Sequence, residues 1–222
     1  MTISLDFLTG KTTDQLTPFQ DGKFQVHKEM LADITAMFAA AKAAGFDLTL
    51  SSSFRSFDDQ VRIWNAKAQG QRPVLDSNSV PVDITTKTPE EIMFLIMRWS
   101  AIPGGSRHHW GSDIDVYDMK AKPADYKVQL IPSEYEAGGF FYESNLWLNE
   151  NMEDYGFFRP YAIDRGGIAP EPWHLSYRPL SEKFLQSFSF EAFSEHLANA
   201  SFDLIEDARR NQAELYQRFI LV

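Results

Sequence analysis

Apolar residues recur at helical spacing through Met30, Leu31, Ile34, Met37, Phe38 and Ala41, which predicts a helix over residues 28–44 ended by Gly45. Phe46, Leu48 and Leu50 then alternate with their neighbours, as in a strand over residues 46–52. A second helix is expected to about residue 69, with Asp58 and Asp59 at its electropositive start. Residues 70–86 read as a polar loop carrying Pro73 and Pro81. Thr88-Pro89-Glu90-Glu91 is a capping box with proline at the first helical position, and a helix through Ile92, Leu95, Ile96 and Trp99 follows from it. Pro103-Gly104-Gly105 breaks the chain. Residues 112–117 and 174–177 read as strands, and residues 144–155 as a helix ending at Gly156. Beyond Pro179 the pattern of Leu204, Ile205, Ala208, Leu215 and Phe219 is helical. The first 27 residues have weak periodicity, with Pro18 and Gly22 as breakers, and are expected to form an irregular arm.

Composition narrows the class. A chain of 222 residues fits one domain spanning 1–222, and 44% hydrophobic residues with 18 Phe and 5 Trp suffice for a core. The densest apolar run, residues 92–97, is far short of the roughly 18 residues needed to span a bilayer, so no membrane helix is expected. No basic stretch followed by an apolar one opens the chain, so as written it reads as cytoplasmic, with periplasmic or extracellular action left open. A net charge of −10 argues against nucleic acid and anionic lipid as partners and suits a small or zwitterionic substrate. There are no cysteines, hence no disulfides and no thiolate ligands.

The chemistry gathers in two stretches, Ser106-Arg107-His108-His109-Trp110-Gly111-Ser112-Asp113-Ile114-Asp115 and Glu171-Pro172-Trp173-His174. A catalytic zinc site has three protein ligands and an open position for water. His108, Asp115 and His174 would supply the ligands, one zinc per chain, and Glu171 the base acting on the water. Strand residues two apart share a face and residues seven apart do not, so His108 must sit on a loop broken at Gly111, with Asp115 on the strand behind it. The same parity makes Asp113 a rival ligand or a hydrogen-bond acceptor beside the site. Pro172 biases Glu171 to an extended conformation on the turn before the second strand. His109 reads as a structural or substrate-contact residue, and His27 and His196 as ordinary ones. Arg55 reads as a surface ion pair or, with a planar fork that suits a carboxylate, as a clamp on the substrate. Ser106 either caps a turn or touches substrate. Trp110, Trp147 and Trp173 are site walls or core.

Over roughly residues 26–177 the chain resembles the VanY-type zinc D-Ala-D-Ala carboxypeptidases. The match falls on Ser106, His108, Gly111, Asp115, Glu171, Trp173 and His174, and on Arg55, Ser56 and Gln60 of a second box. Ser53, Phe54 and Asp113 stand where that family usually has Gly, Tyr and Ala. The resemblance implies an α+β fold of the hedgehog/DD-peptidase-like kind, with helices around a small, mainly antiparallel sheet that carries the zinc ligands. It also implies hydrolysis of the terminal D-Ala amide of a peptidoglycan stem peptide or muropeptide, with Arg55, Gln60 and Ser106 on the substrate. A phage-lysin-like endopeptidase and a metal-stabilised binding module without catalysis are the alternatives. The helical stretch 180–222 lies outside the resemblance.

Overall fold

The computed structural model describes residues 3–221. Its elements run α1 (Leu5–Leu8), β1 (Leu16–Phe19), β2 (Phe24–His27), α2 (Leu31–Ala43), β3 (Leu48–Ser52), α3 (Phe57–Ala68), α4 (Pro89–Met97) and β4 (Asp113–Asp118). They continue with α5 (Tyr142–Asn151), β5 (Phe157–Phe158), β6 (His174–Tyr177), α6 (Arg178–Ser187), α7 (Phe190–Asn199), α8 (Ile205–Arg210) and α9 (Gln212–Leu215). The architecture is α+β: helices surround an antiparallel sheet of order β3-β4-β6-β5.

Local chemistry places the helices. The Ser56 hydroxyl accepts from Asp59 N–H and starts α3, with Asp58 and Asp59 in its first turn. Thr88 and Glu91 complete the expected capping box of α4 in both directions.

Register places the chemistry. Asp115 lies opposite Ser52 on one side and His174 on the other, and Asp113 lies opposite Ser176. Successive strand residues alternate faces, so Asp113, Asp115, His174 and Ser176 share one face. Ile114, Val116 and Leu175 take the other and are buried in a hydrophobic core whose members run from Leu8 to Ile220. The central pair of strands thus has chemistry on one side and packing on the other.

The first 27 residues correct the expectation of an irregular arm. Among the described ones, α1 is followed by a hairpin pairing Leu16 with His27 and Phe19 with Phe24. Gln20, Asp21 and Gly22 make its turn with positive φ, and Asp21-Gly22 between two phenylalanines was the available signal. Pro18 is tolerated because each strand of a two-stranded ribbon has a free edge, where a missing N–H is not needed. The hairpin then docks on the 106–115 stretch: His27 N–H donates to Gly111 C=O at 2.8 Å. Gly111 has φ +71°, and a Cβ there would meet Leu16 Cδ2 at 2.5 Å, so both conformation and space demand glycine.

The C-terminal helices do more than extend the chain. From α7, His196 Nε2–H donates to Pro103 C=O at 2.9 Å, just before the motif. A Cβ on Gly104 would fall 2.0 Å from that same nitrogen. The tail therefore braces the segment that leads into Ser106 and His108.

Candidate active site

His108 sits in a one-turn 3₁₀ helix, Arg107–Trp110, which Gly111 ends in the left-handed conformation. That break lets the chain turn from His108 into β4, where Asp115 and the cross-strand His174 meet it. Ligand atoms of His108, Asp115 and His174 all lie within 4.8 Å of one another, and all three residues are buried.

The hydrogen bonds around them fix which ring nitrogens face inward. His108 Nδ1 is 3.0 Å from Ser53 C=O and 3.2 Å from Asp113 C=O, acceptors only, so Nδ1 carries the proton. Its Nε2 is then a lone pair, 3.4 Å from Asp115 Oδ2. His174 Nε2 is 3.0 Å from Asp113 Oδ1, leaving Nδ1 to face Asp115 Oδ1 at 3.2 Å. Asp115 Oδ1 is buried and accepts no hydrogen bond among the described residues. Two inward-facing ring nitrogens and an orphaned carboxylate oxygen in a buried cluster are the donor set of a divalent cation, which would displace the proton that His174 otherwise holds. The residues fit a metal.

Asp113 takes the acceptor role of the two open to it. Its carboxylate accepts from Arg107 Nε at 2.9 Å and from Ser112 Oγ at 2.9 Å, besides holding His174. Burial opposes ionisation of Asp113, but the Arg107 guanidinium and His174 outweigh it and hold the carboxyl far below its ordinary range. Burial works against a charged His174 too. Its contacts with Asp113 and Asp115 prevail and raise it to about 9 before any cation is bound.

Glu171 lies on the turn before β6, closed by His174 N–H donating to Glu171 C=O at 3.1 Å. Its Oε2 is 3.5 Å from His174 Nδ1, so the carboxylate stands beside the metal group. Burial pushes its pKa up to about 8, with the Asp115 charge adding to the rise while His174, Arg55 and Lys67 oppose it. A bound dication would pull it back down.

A cavity of about 350 Å³ opens over this cluster, lined by His108, Asp115, Glu171, His174, Arg55 and Ser106 among others. Arg55 donates to Gln60 Oε1 and Ser52 Oγ, each at 2.9 Å. Gln60, expected on the substrate, does not line the cavity. It is fully buried behind Arg55, anchored by its own Nε2 to Ala101 C=O at 2.6 Å. Its place corrects a direct contact to the positioning of the guanidinium. Ser106 faces the cavity, and its hydroxyl does not cap the helical turn it precedes. His109 is structural: fully buried, with Nδ1–H donating to Arg55 C=O at 2.7 Å and Nε2 accepting from Gly104 N–H at 3.0 Å. Burial keeps it neutral, down to about 3. Trp110 belongs to the core, Trp147 packs at its margin, and Trp173 lines the cavity stacked on Trp99.

Other residues of the site had no signal in the sequence. Tyr161 lines the cavity, its ring 4.9 Å from that of His174 and its carbonyl accepting from Glu171 N–H at 3.0 Å. Arg159 holds the Glu171 turn by donating from Nε to Pro172 C=O at 2.7 Å. Lys67 and Arg72 also line the cavity. A lysine in the last turn of a helix reads first as a complement to the helix dipole.

A family profile described as "VanY: D-alanyl-D-alanine carboxypeptidase" matches residues 23–180. The chain belongs to the VanY D-alanyl-D-alanine carboxypeptidase family, and so to the peptidases. Among curated relatives, an uncharacterized protein of Haemophilus influenzae is 41% identical over 92 residues, 40% of this chain and 70% of that protein. The D-alanyl-D-alanine carboxypeptidase of Enterococcus faecalis is 28% identical over 145 residues, 64% of this chain and 44% of that protein. Among solved structures, VanYB in complex with D-alanine-D-alanine superposes with a TM-score of 0.56 at 21% identity, over 86% of this chain and 92% of that one. A vancomycin-resistance VanY D,D-pentapeptidase in complex with Zn(II) gives 0.54 at 20% identity, over 78% and 89%. These likenesses are of fold.

Proposed function

We propose that the protein is a zinc-dependent carboxypeptidase that releases the terminal D-Ala of peptidoglycan stem peptides. One observation carries the reading: a buried His108–Asp115–His174 group shares a cavity with a carboxylate, Glu171, and a guanidinium, Arg55. A relative crystallised with zinc and another with D-alanine-D-alanine support the metal and the substrate class.

Zinc held by His108 Nε2, Asp115 and His174 Nδ1 would polarise the scissile carbonyl and acidify the attacking water. Glu171 takes the proton from that water and delivers it to the departing amine. Arg55, held at a fixed angle by Gln60 and Ser52, receives the C-terminal carboxylate and sets which amide lies over the metal group. Arg159 keeps the Glu171 turn in place through Pro172, and Ser106 offers its hydroxyl to the peptide.

Digestion of defined muropeptides, with the products weighed, tests the reading. Loss of one terminal D-Ala is expected. Cuts inside the stem peptide would indicate an endopeptidase, and intact substrate a binding module.

A further inference from the structure

The cavity holds more positive charge than one terminal carboxylate needs. Arg55, Lys67 and Arg72 all line it, in a chain whose net charge is −10. Arg107 lines it too, but its guanidinium is committed to Asp113. None of Arg55, Lys67 and Arg72 forms an ion pair among the described residues. Arg55 donates to an amide oxygen and a hydroxyl, and Lys67 Nζ donates to Ser100 Oγ at 2.5 Å. The chain returns after α3 so that Arg72 N–H donates to Ala66 C=O at 2.9 Å, which brings Arg72 back beside Lys67.

A helix-end lysine that only served the dipole would point to solvent. Lys67 instead lines the cavity, with its ammonium on Ser100, another lining residue. Burial costs that charge most and pulls its pKa down to about 8, Glu171 helps to keep it, and repulsion from Arg55 and Arg72 lowers it further. Arg55, Lys67 and Arg72 repel one another around one cavity, and a substrate anion between Lys67 and Arg72 would offset that repulsion.

We infer that Lys67, with Arg72, receives a second carboxylate of the substrate, carried within the peptide and separate from the C-terminal one at Arg55. The inference rests on the carboxypeptidase reading and names its substrate class: stem peptides with a free internal carboxylate. Two positions of such peptides can supply it. One is the α-carboxyl of a γ-linked D-glutamate at residue two, and the other the side-chain carboxyl of a diaminopimelate at residue three.

The test compares wild type, Lys67→Met and Arg72→Gln on three pentapeptides: both carboxylates free, residue two amidated, and residue three amidated. Wild type should cleave the free peptide with at least tenfold higher kcat/KM than one of the two amides, and which amide is poor identifies the carboxylate. In Lys67→Met the two rates should converge, and Arg72→Gln, altering an exposed side chain, should narrow the gap. Indifference of the wild type to both amides overturns the inference while leaving the carboxypeptidase reading standing, and needs no variant to fold. So does a Lys67→Met enzyme weakened equally on all three peptides, which would place Lys67 on the terminal carboxylate with Arg55. Failure to release a terminal residue from any peptide would instead sink the reading beneath both.

Discussion

Asp113 Oδ1 lies 3.0 Å from His174 Nε2, the ring nitrogen that points away from Asp115. The aspartate thereby holds the ring with Nδ1 turned toward Asp115, and it stands outside the His108–Asp115–His174 group. Asp113→Asn should therefore weaken zinc binding about 10- to 100-fold, the usual cost of altering such a partner, and leave one equivalent bound at saturation. Asp115→Ala should abolish it. Titration against a chromogenic chelator reads both. Retention by Asp115→Ala with loss in Asp113→Asn would reverse the two roles.

Arg55 donates to Gln60 and Ser52 from its two terminal nitrogens, which holds the fork open toward the cavity. Lysine in its place keeps the charge and loses the planar pair of donors. Arg55→Lys should lower kcat/KM at least tenfold. Gln60→Ala should act the same way but less, since among the described residues its side chain hydrogen-bonds only to Arg55 and Ala101. Masking the substrate's C-terminus as an amide should reproduce the Arg55 defect in the wild type. An enzyme that cleaves acid and amide equally well would show that Arg55 serves another purpose.

His196 links the C-terminal helices to stability against acid. It is buried, and burial lowers its pKa from 6.5 to about 4. Below pH 6.5 the unfolded chain takes up the proton more readily than the folded one. Its contribution is thus complete above pH 6.5 and is lost as pH falls toward 4. From pH 7 to pH 5 that loss is about 2 kcal/mol from this one group. His196→Gln preserves a donor for Pro103 C=O and removes the titration. Urea unfolding of the metal-free protein at the two pH values should show the variant losing about 2 kcal/mol less than wild type; equal losses would contradict the assignment.

Much of this site could be read in the chain because its ligands sit at spacings that strand parity constrains. His108 had to leave the strand that carries Asp115, and Gly111 marked where; the structure puts a 3₁₀ turn and a left-handed glycine there. Thr88-Pro89-Glu90-Glu91 announced α4 through local hydrogen bonds alone. The hairpin at residues 16–27 was missed because strands of four residues leave too little alternation, and Pro18 masked one of them. Gln60 could be matched by type but not placed, since a buried glutamine behind a cavity and an exposed one in it look alike in sequence. Lys67, Arg72 and Tyr161 come together only through the return of the chain after α3 and the turn before β6, contacts that no local pattern encodes.

Glu171 is the central claim: its Oε2 stands 3.5 Å from His174 Nδ1, beside the metal group and outside it. Glutamine preserves its size and a carbonyl oxygen but cannot take a proton from water. General-base catalysis contributes about 10²- to 10⁴-fold, so Glu171→Gln should lose at least that order of turnover. The acidic limb of the wild-type pH–rate profile, where activity falls as Glu171 gains its proton, should disappear from whatever activity is left. The most direct measurement is zinc content and muropeptide cleavage on one preparation of Glu171→Gln. The account predicts a full equivalent of zinc with turnover collapsed; zinc lost along with activity would make Glu171 a fourth ligand closing a structural site, and would contradict it.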